Sequence, residues 1–168
     1  MTLQQNIARQ FRDVYFGGNW CAVNLKDTLS DVVWQQANLQ LYSLNSIATL
    51  ACHMTYYVTE VLKVLEGGPL VASDKESFEH PPFTSQEEWE TFLEKAWAEA
   101  ESFAIAIEQL PEEKLWEPFT DEKYGNFYRN LCGIIEHMHY HLGQIVMIKK
   151  ILKTQGKMDA VLKRKRLQ

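Results

Sequence analysis

Leu131-Cys132-Gly133-Ile134-Ile135-Glu136-His137-Met138-His139-Tyr140-His141-Leu142-Gly143-Gln144-Ile145-Val146 reads as helix. Leu131, Ile134, Ile135, Met138, Leu142, Ile145 and Val146 recur every three or four residues, and Leu152 prolongs the stripe, which is the period of one helix face. The helix is expected from about Asn126 to Thr154, with Gly156 beyond it. The stretch also holds three of the chain's five histidines. His137 and His141 stand four apart, so they lie about 40° apart around the axis, and two imidazoles at that spacing can point at one metal ion. His139 points nearly opposite to His137. It belongs to the outside of the bundle or to a subunit contact.

Three further segments carry the same period. Leu3, Ile7, Phe11 and Val14 or Tyr15 form a stripe between Thr2 and Phe16, stopped by Gly17-Gly18-Asn19. Ile47, Leu50, Ala51, Met54, Val58, Val61, Leu62 and Leu65 form a second, opened by Asn45 or Ser46 and closed by Gly67-Gly68-Pro69. Trp89, Phe92, Leu93, Ala96, Trp97, Ala100, Phe103, Ala104 and Ile107 form a third, opened by Thr84 or Ser85 and ended by Pro111. Trp20 to Leu25 reads as loop and Lys26 to Ser30 as a short helical turn. The segment from Pro69 to Ser85 reads as a long loop, of the kind that often lines a site. No strand-length alternation occurs, so the fold class is all-α, a four-helix bundle. The connections at 17–45 and 67–85 are long enough to cross over, which leaves the helix order open.

Composition sets the outer limits. The chain has 168 residues, enough for one domain with a substantial core; residues 1–155 are read as that domain and 156–168 as a basic tail containing Lys163-Arg164-Lys165-Arg166. A formal charge of −5 argues against a nucleic-acid surface. No segment reaches the about 20 apolar residues of a membrane span, and Met1 to Asn6 does not read as a signal peptide, so a cytoplasmic protein is expected. Cys21, Cys52 and Cys132 are odd in number and irregular in spacing, which suits buried free thiols.

A catalytic metal site needs a third ligand. His80 lies in the long loop and is expected to be exposed. His53 lies mid-helix, roughly 115° from the centre of its apolar stripe, and His137 lies roughly 110° from the centre of its own in the same sense. Both therefore stand at the margin of a buried face, where a side chain can line a cavity. Three neutral imidazoles from His53, His137 and His141 would hold one metal and leave coordination positions open. The alternative is three unrelated histidines satisfied by local hydrogen bonds. Tyr57, one turn from His53, can donate a hydrogen bond at such a site or pack in the core. Glu60, two turns away, is a candidate base or a solvated residue. Gln144 can line the pocket or bond to another helix, and Trp20 can wall the cavity or plug a bundle end. Cys52 and Cys132 point about 100° and 140° away from the histidines of their helices and are poor ligand candidates.

The run His137-Met138-His139-Tyr140-His141-Leu142-Gly143-Gln144-Ile145, with the earlier Ile47 to Tyr57 segment around His53, resembles the DinB/YfiT-like metalloenzyme superfamily. Asn19-Trp20 followed by Leu25-Lys26-Asp27-Thr28-Leu29 is similar to the early segment of that family, and the resemblance spans about residues 1–153. It implies a four-helix bundle in up-down-down-up order, a divalent metal on His53, His137 and His141, and a homodimer. It also implies kinship with thiol-dependent transferases and a maleylpyruvate isomerase. The metal expected is zinc or nickel, with iron a further candidate, since imidazole suits all three. Such an ion would lower the pKa of a thiol or water. The expected activity is therefore thiol-dependent S-transfer to an electrophilic small molecule, with a low-molecular-weight thiol as partner. Metal-dependent hydrolysis is the enzymatic alternative. A metal-binding stress protein acting through its dimer surface, without catalysis, is the alternative of another class.

Overall fold

The computed structural model describes the backbone of residues 1–166 and the side chains of residues 1–156. Among the described residues seven helices follow one another: α1 (Leu3–Phe16), α2 (Leu25–Leu29), α3 (Trp34–Asn38), α4 (Ile47–Leu65), α5 (Asp74–Ser77), α6 (Gln86–Gln109) and α7 (Phe127–Arg166). Two 3-10 turns, Glu112–Trp116 and Glu122–Tyr124, lie between α6 and α7. Among the described residues there is no β-strand, only an isolated bridge between Pro118 and Asn126. No described helix is long and apolar enough to cross a membrane.

Side-chain caps open α1, α4 and α6, and two of them, Ser46 and Ser85, are among those expected from the sequence. Thr2 and Gln5 form a reciprocal capping box, each side chain bonded to the other's backbone. Ser46 accepts from the Thr49 amide, and Ser85 from the Glu88 amide. Gly17 ends α1 at φ 106°, a conformation that side chains with a Cβ disfavour. Two elements were not expected: α3 and α5 are single turns, too short to show a helical period. The long 69–85 loop thus contains one turn of helix. Gly156 does not end α7, whose backbone stays helical to Arg166. A lone glycine in a helix costs only about 1 kcal/mol, and good helix formers flank it on both sides. The boundary expected at 155/156 is therefore not a break in secondary structure, and the side chains of the basic tail lie outside the described residues.

Each long helix packs on two others. Gln4 bonds to the carbonyl of Leu110, Phe11 meets Phe103, and Tyr15 meets Trp97, so α1 and α6 run antiparallel. Arg12 ties the same pair through Glu101, at 2.7 Å, and Glu108. Thr49 near the start of α4 bonds to His80, just before α6, and Thr59 further along bonds to Glu99, so α4 and α6 run parallel. α4 and α7 are antiparallel: Leu50 shares a groove with Gly143, while Val61 shares a cavity with Ile134. Tyr15 closes the ring by reaching Met138 of α7. The expected apolar stripes form the core: Phe11, Leu50, Met54, Phe103, Leu131 and Met138 are almost wholly buried.

Trp89 anchors the lower end. It is fully buried, stacks on Phe92, and its indole N–H donates to the carbonyl of Val32 at 2.9 Å. It therefore fastens the segment between α2 and α3 to α6. Trp89→Ala should cost about 3–5 kcal/mol, from the cavity and the orphaned carbonyl. Urea unfolding followed by circular dichroism measures it, and a loss under 1 kcal/mol would contradict this assignment.

Candidate metal centre

Because α4 and α7 are antiparallel neighbours, His53 on one helix faces His137 and His141 on the other. The ring nitrogens converge. His137 Nε2 lies 3.0 Å from His53 Nε2 and 2.8 Å from His141 Nε2. His53 and His141 are buried and His137 is half-buried, so His137 stands at the opening.

The remaining nitrogens decide which atoms face the common point. The Ser77 hydroxyl donates to the Asp74 carbonyl at 2.6 Å, so it accepts from His53 Nδ1 at 2.7 Å. The proton of neutral His53 therefore sits on Nδ1, and Nε2 presents its lone pair. Gln144 Oε1 accepts from His141 Nδ1 at 2.7 Å, which fixes the same tautomer there. Phe78 stacks on His53 with ring centres 3.9 Å apart. Tyr57 stands edge-on to His53 and His137, and its hydroxyl donates to Asp74 Oδ1 at 3.2 Å.

This donor set fits a metal ion. With metal–nitrogen bonds of about 2.1 Å, adjacent donors lie about 3.0 Å apart at a right angle and about 3.4 Å apart at a tetrahedral one. The observed separations are close to the first. Bonds from the far nitrogens to an oxygen are also the usual supports of metal-bound histidines. The three histidines form a cluster of metal-capable side chains among the described residues. Burial, and then the neighbouring histidines, push His53 and His137 down to about 4, against a partial opposing pull from Asp74. Burial likewise lowers His141, opposed by its bond to Gln144. All three shifts favour the neutral ring, the form that binds a metal ion.

His137 opens onto a cavity of about 790 Å³, whose walls include Tyr57, Asp74, Phe119, Lys123 and Arg129. Of the residues singled out in the sequence, His53, His137, His141, Tyr57 and Gln144 come together. Glu60 does not. It is buried, but it bonds to Lys63 and faces a separate hollow near Pro69, with one oxygen unpartnered. Trp20 does not wall the cavity either. The Gly17-Gly18 turn carries it out to full exposure, in a groove with Cys21 and His139 along α1 and α7. His139 thus points away from the centre. His80 is half-buried and bonded to Thr49, rather than free in solvent. Cys52 is half-buried, its thiol pushed up to about 12 by burial, whereas Cys21 is exposed, against the burial expected of the free thiols.

Asp74, Ser77 and Phe78 were missed, all in or beside α5. Their one legible signal is Ser73-Asp74-Lys75-Glu76, a capping pattern; Ser73 does cap the turn, accepting from the Glu76 amide.

Two outcomes follow from this geometry. Ser77→Ala and Gln144→Ala should each weaken metal affinity about 10–100-fold without unfolding the chain, measured by competition with a chromogenic chelator; unchanged affinity in both would refute the tautomer assignment. The second concerns pH. In the unfolded chain these histidines titrate near 6.5, and in the folded metal-free protein His53 and His137 titrate near 4. Between these values the unfolded state binds protons that the folded state does not, so stability falls as pH falls through that window and levels off below it. His53→Gln should flatten that slope in urea titrations of metal-free protein; an unaltered slope would show that the histidines do not cause it.

Comparison with protein-family models, curated proteins and solved structures gave no match to this chain.

Proposed function

We propose that His53, His137 and His141 hold one divalent ion, zinc or nickel, and that the protein transfers a small thiol to an electrophilic carbon. One observation carries this reading: three Nε2 atoms, each on a neutral ring, converge at the mouth of a cavity large enough for a small molecule. A divalent ion there supplies positive charge that lowers the pKa of a thiol or water and stabilises the anion.

The chain's own residues supply the rest. Ser77 and Gln144 hold His53 and His141 in the required tautomer. Tyr57 donates to one oxygen of Asp74, leaving the other to accept the proton that a thiol releases. The sulfur then bonds to the acceptor carbon as that carbon's leaving group departs with the bonding pair. Phe78 and Tyr57 cover the rings and limit water. Hydrolysis would use the same groups; the resemblance of the His137 to Ile145 run to thiol-dependent enzymes favours the thiol. The cavity at His137 favours catalysis over passive metal storage. The helix directions also support kinship with the DinB/YfiT-like bundles, since α1 and α7 run opposite to α4 and α6, an up-down-down-up order.

Protein purified without chelator or tag should contain close to one metal per chain by elemental analysis. His53→Ala and His137→Ala should lose it, and His139→Ala should keep it. Metal content untouched in the first two variants would sink the assignment. For the reaction, metal-loaded protein is screened with several cellular thiols against electrophiles. Asp74→Asn should then lower turnover about 100-fold or more with metal content intact; full activity would remove Asp74 from the reaction.

A further inference from the structure

The cavity beside His137 is electrically polarised along α7. At the His137 end stands the Asp74 carboxylate, held by Tyr57. At the other end stand Arg129 and Lys123. Their partners differ. Lys123 is paired with Asp121 at 3.0 Å and lies over the Tyr124 ring. Among the described residues Arg129 has one carboxylate within ion-pair distance, Glu136 at 3.8 Å, which is beyond hydrogen-bonding reach and largely exposed. Arg129 is itself 66% exposed, so it lines the cavity from the rim, with no carboxylate within hydrogen-bonding reach.

Gly133 explains how Arg129 reaches that position. It lies inside α7, where glycine costs about 1 kcal/mol relative to alanine. Neither helix geometry nor packing demands it: its φ is not in the left-handed region, and the atom that a Cβ would meet is Arg129 Nη1, at 3.3 Å. Arg129, Gly133 and His137 are successive members of one i, i+4, i+8 row. The bare backbone at Gly133 lets the guanidinium lie along the row toward His137. That places Nη1 beside Gly133, whose backbone lies four residues, about 6 Å along the helix axis, from that of His137. Asn130 steadies the same wall by donating to the carbonyl of Tyr124, which holds the rim in place.

We infer that the cavity takes a small molecule bearing a carboxylate, bound by the guanidinium of Arg129, with its reactive end at the histidines. This rests on the proposed function for the reactive end, but not for the carboxylate. The spacing sets the ligand's length: the carboxylate stands about three to five bonds from the atom directed at His137. Asp74 sets its direction, because a carboxylate bound the other way round would face a like charge.

The test uses 3-mercaptopropionate and its neutral counterpart 3-mercaptopropionamide. Full-length metal-free protein with labelled methyl groups is titrated with each, following the Ile134 and Val61 methyls that line the cavity. Saturation by the acid is expected at a concentration about tenfold or more below that for the amide, the scale of a charge-assisted hydrogen bond. Arg129→Gln should abolish that difference while leaving the amide's binding unchanged, and Arg129→Lys should keep only part of it. Equal response to acid and amide, or a preference that survives Arg129→Gln, overturns the inference. The titrations are repeated with zinc-loaded protein. If the histidines hold the ion, both probes tighten together and the ratio between them persists. A failure to tighten counts against the metal reading alone, since the acid-to-amide ratio in metal-free protein still decides the role of Arg129.

Discussion

Three imidazole Nε2 atoms meet at one point, where the inward lone pairs of His53 and His141 repel one another, and the contacts around the rings hold them there. His53 and His141 cannot turn their protons inward, because Ser77 and Gln144 already accept them on the far side of each ring. A cation at the shared point turns that repulsion into attraction. Burial acts in the same direction, since protonating rings enclosed by Phe78, Tyr57 and one another places like charges in contact.

The bundle supplies the rigidity this arrangement needs. His137 and His141 share a helix face by backbone geometry alone. His53 depends on the register of α4 against α7, which is set by side chains far from the centre. Phe11, Tyr15 and Phe103 lock α1 onto α6, and Tyr15 passes the constraint to α7 through Met138. α5 then closes over His53 and brings both its hydrogen-bond acceptor and its stacking partner. A site on two long helices, buttressed by one short one, is held more precisely than a site on loops.

What the sequence revealed followed from periodicity. The four stripes were readable because each runs for several turns; most residues assigned to them are buried and the rest, such as Leu62, Phe92 and Trp97, are half-buried against the core. The three ligand candidates were readable because helix phase alone places His137 beside His141 and apart from His139. Tyr57 and Gln144 followed from the same phase. The failures share a cause as well. Glu60 has the right phase but sits two turns up the axis, where the nearest polar partner is Lys63. Trp20 lies in a loop, for which phase says nothing about direction. α5 was invisible because one turn of helix has no period, although it contributes Asp74, Ser77 and Phe78. Gly133 resembled an ordinary helix residue until the space beside it was known.

The bond network joining the two halves of the centre also has a meaning in chain statistics. His53 and His137 are 84 residues apart. An ion shared between them is a cross-link closing most of α4, the 69–85 segment, α6 and the first turns of α7 into one ring. Closing so long a ring in the unfolded chain removes a large share of its freedom, as a disulfide does. Unlike a disulfide, this link is set by the concentration of free ion and by pH. The same three side chains that would activate a substrate would therefore also make the bundle's resistance to unfolding a readout of metal supply.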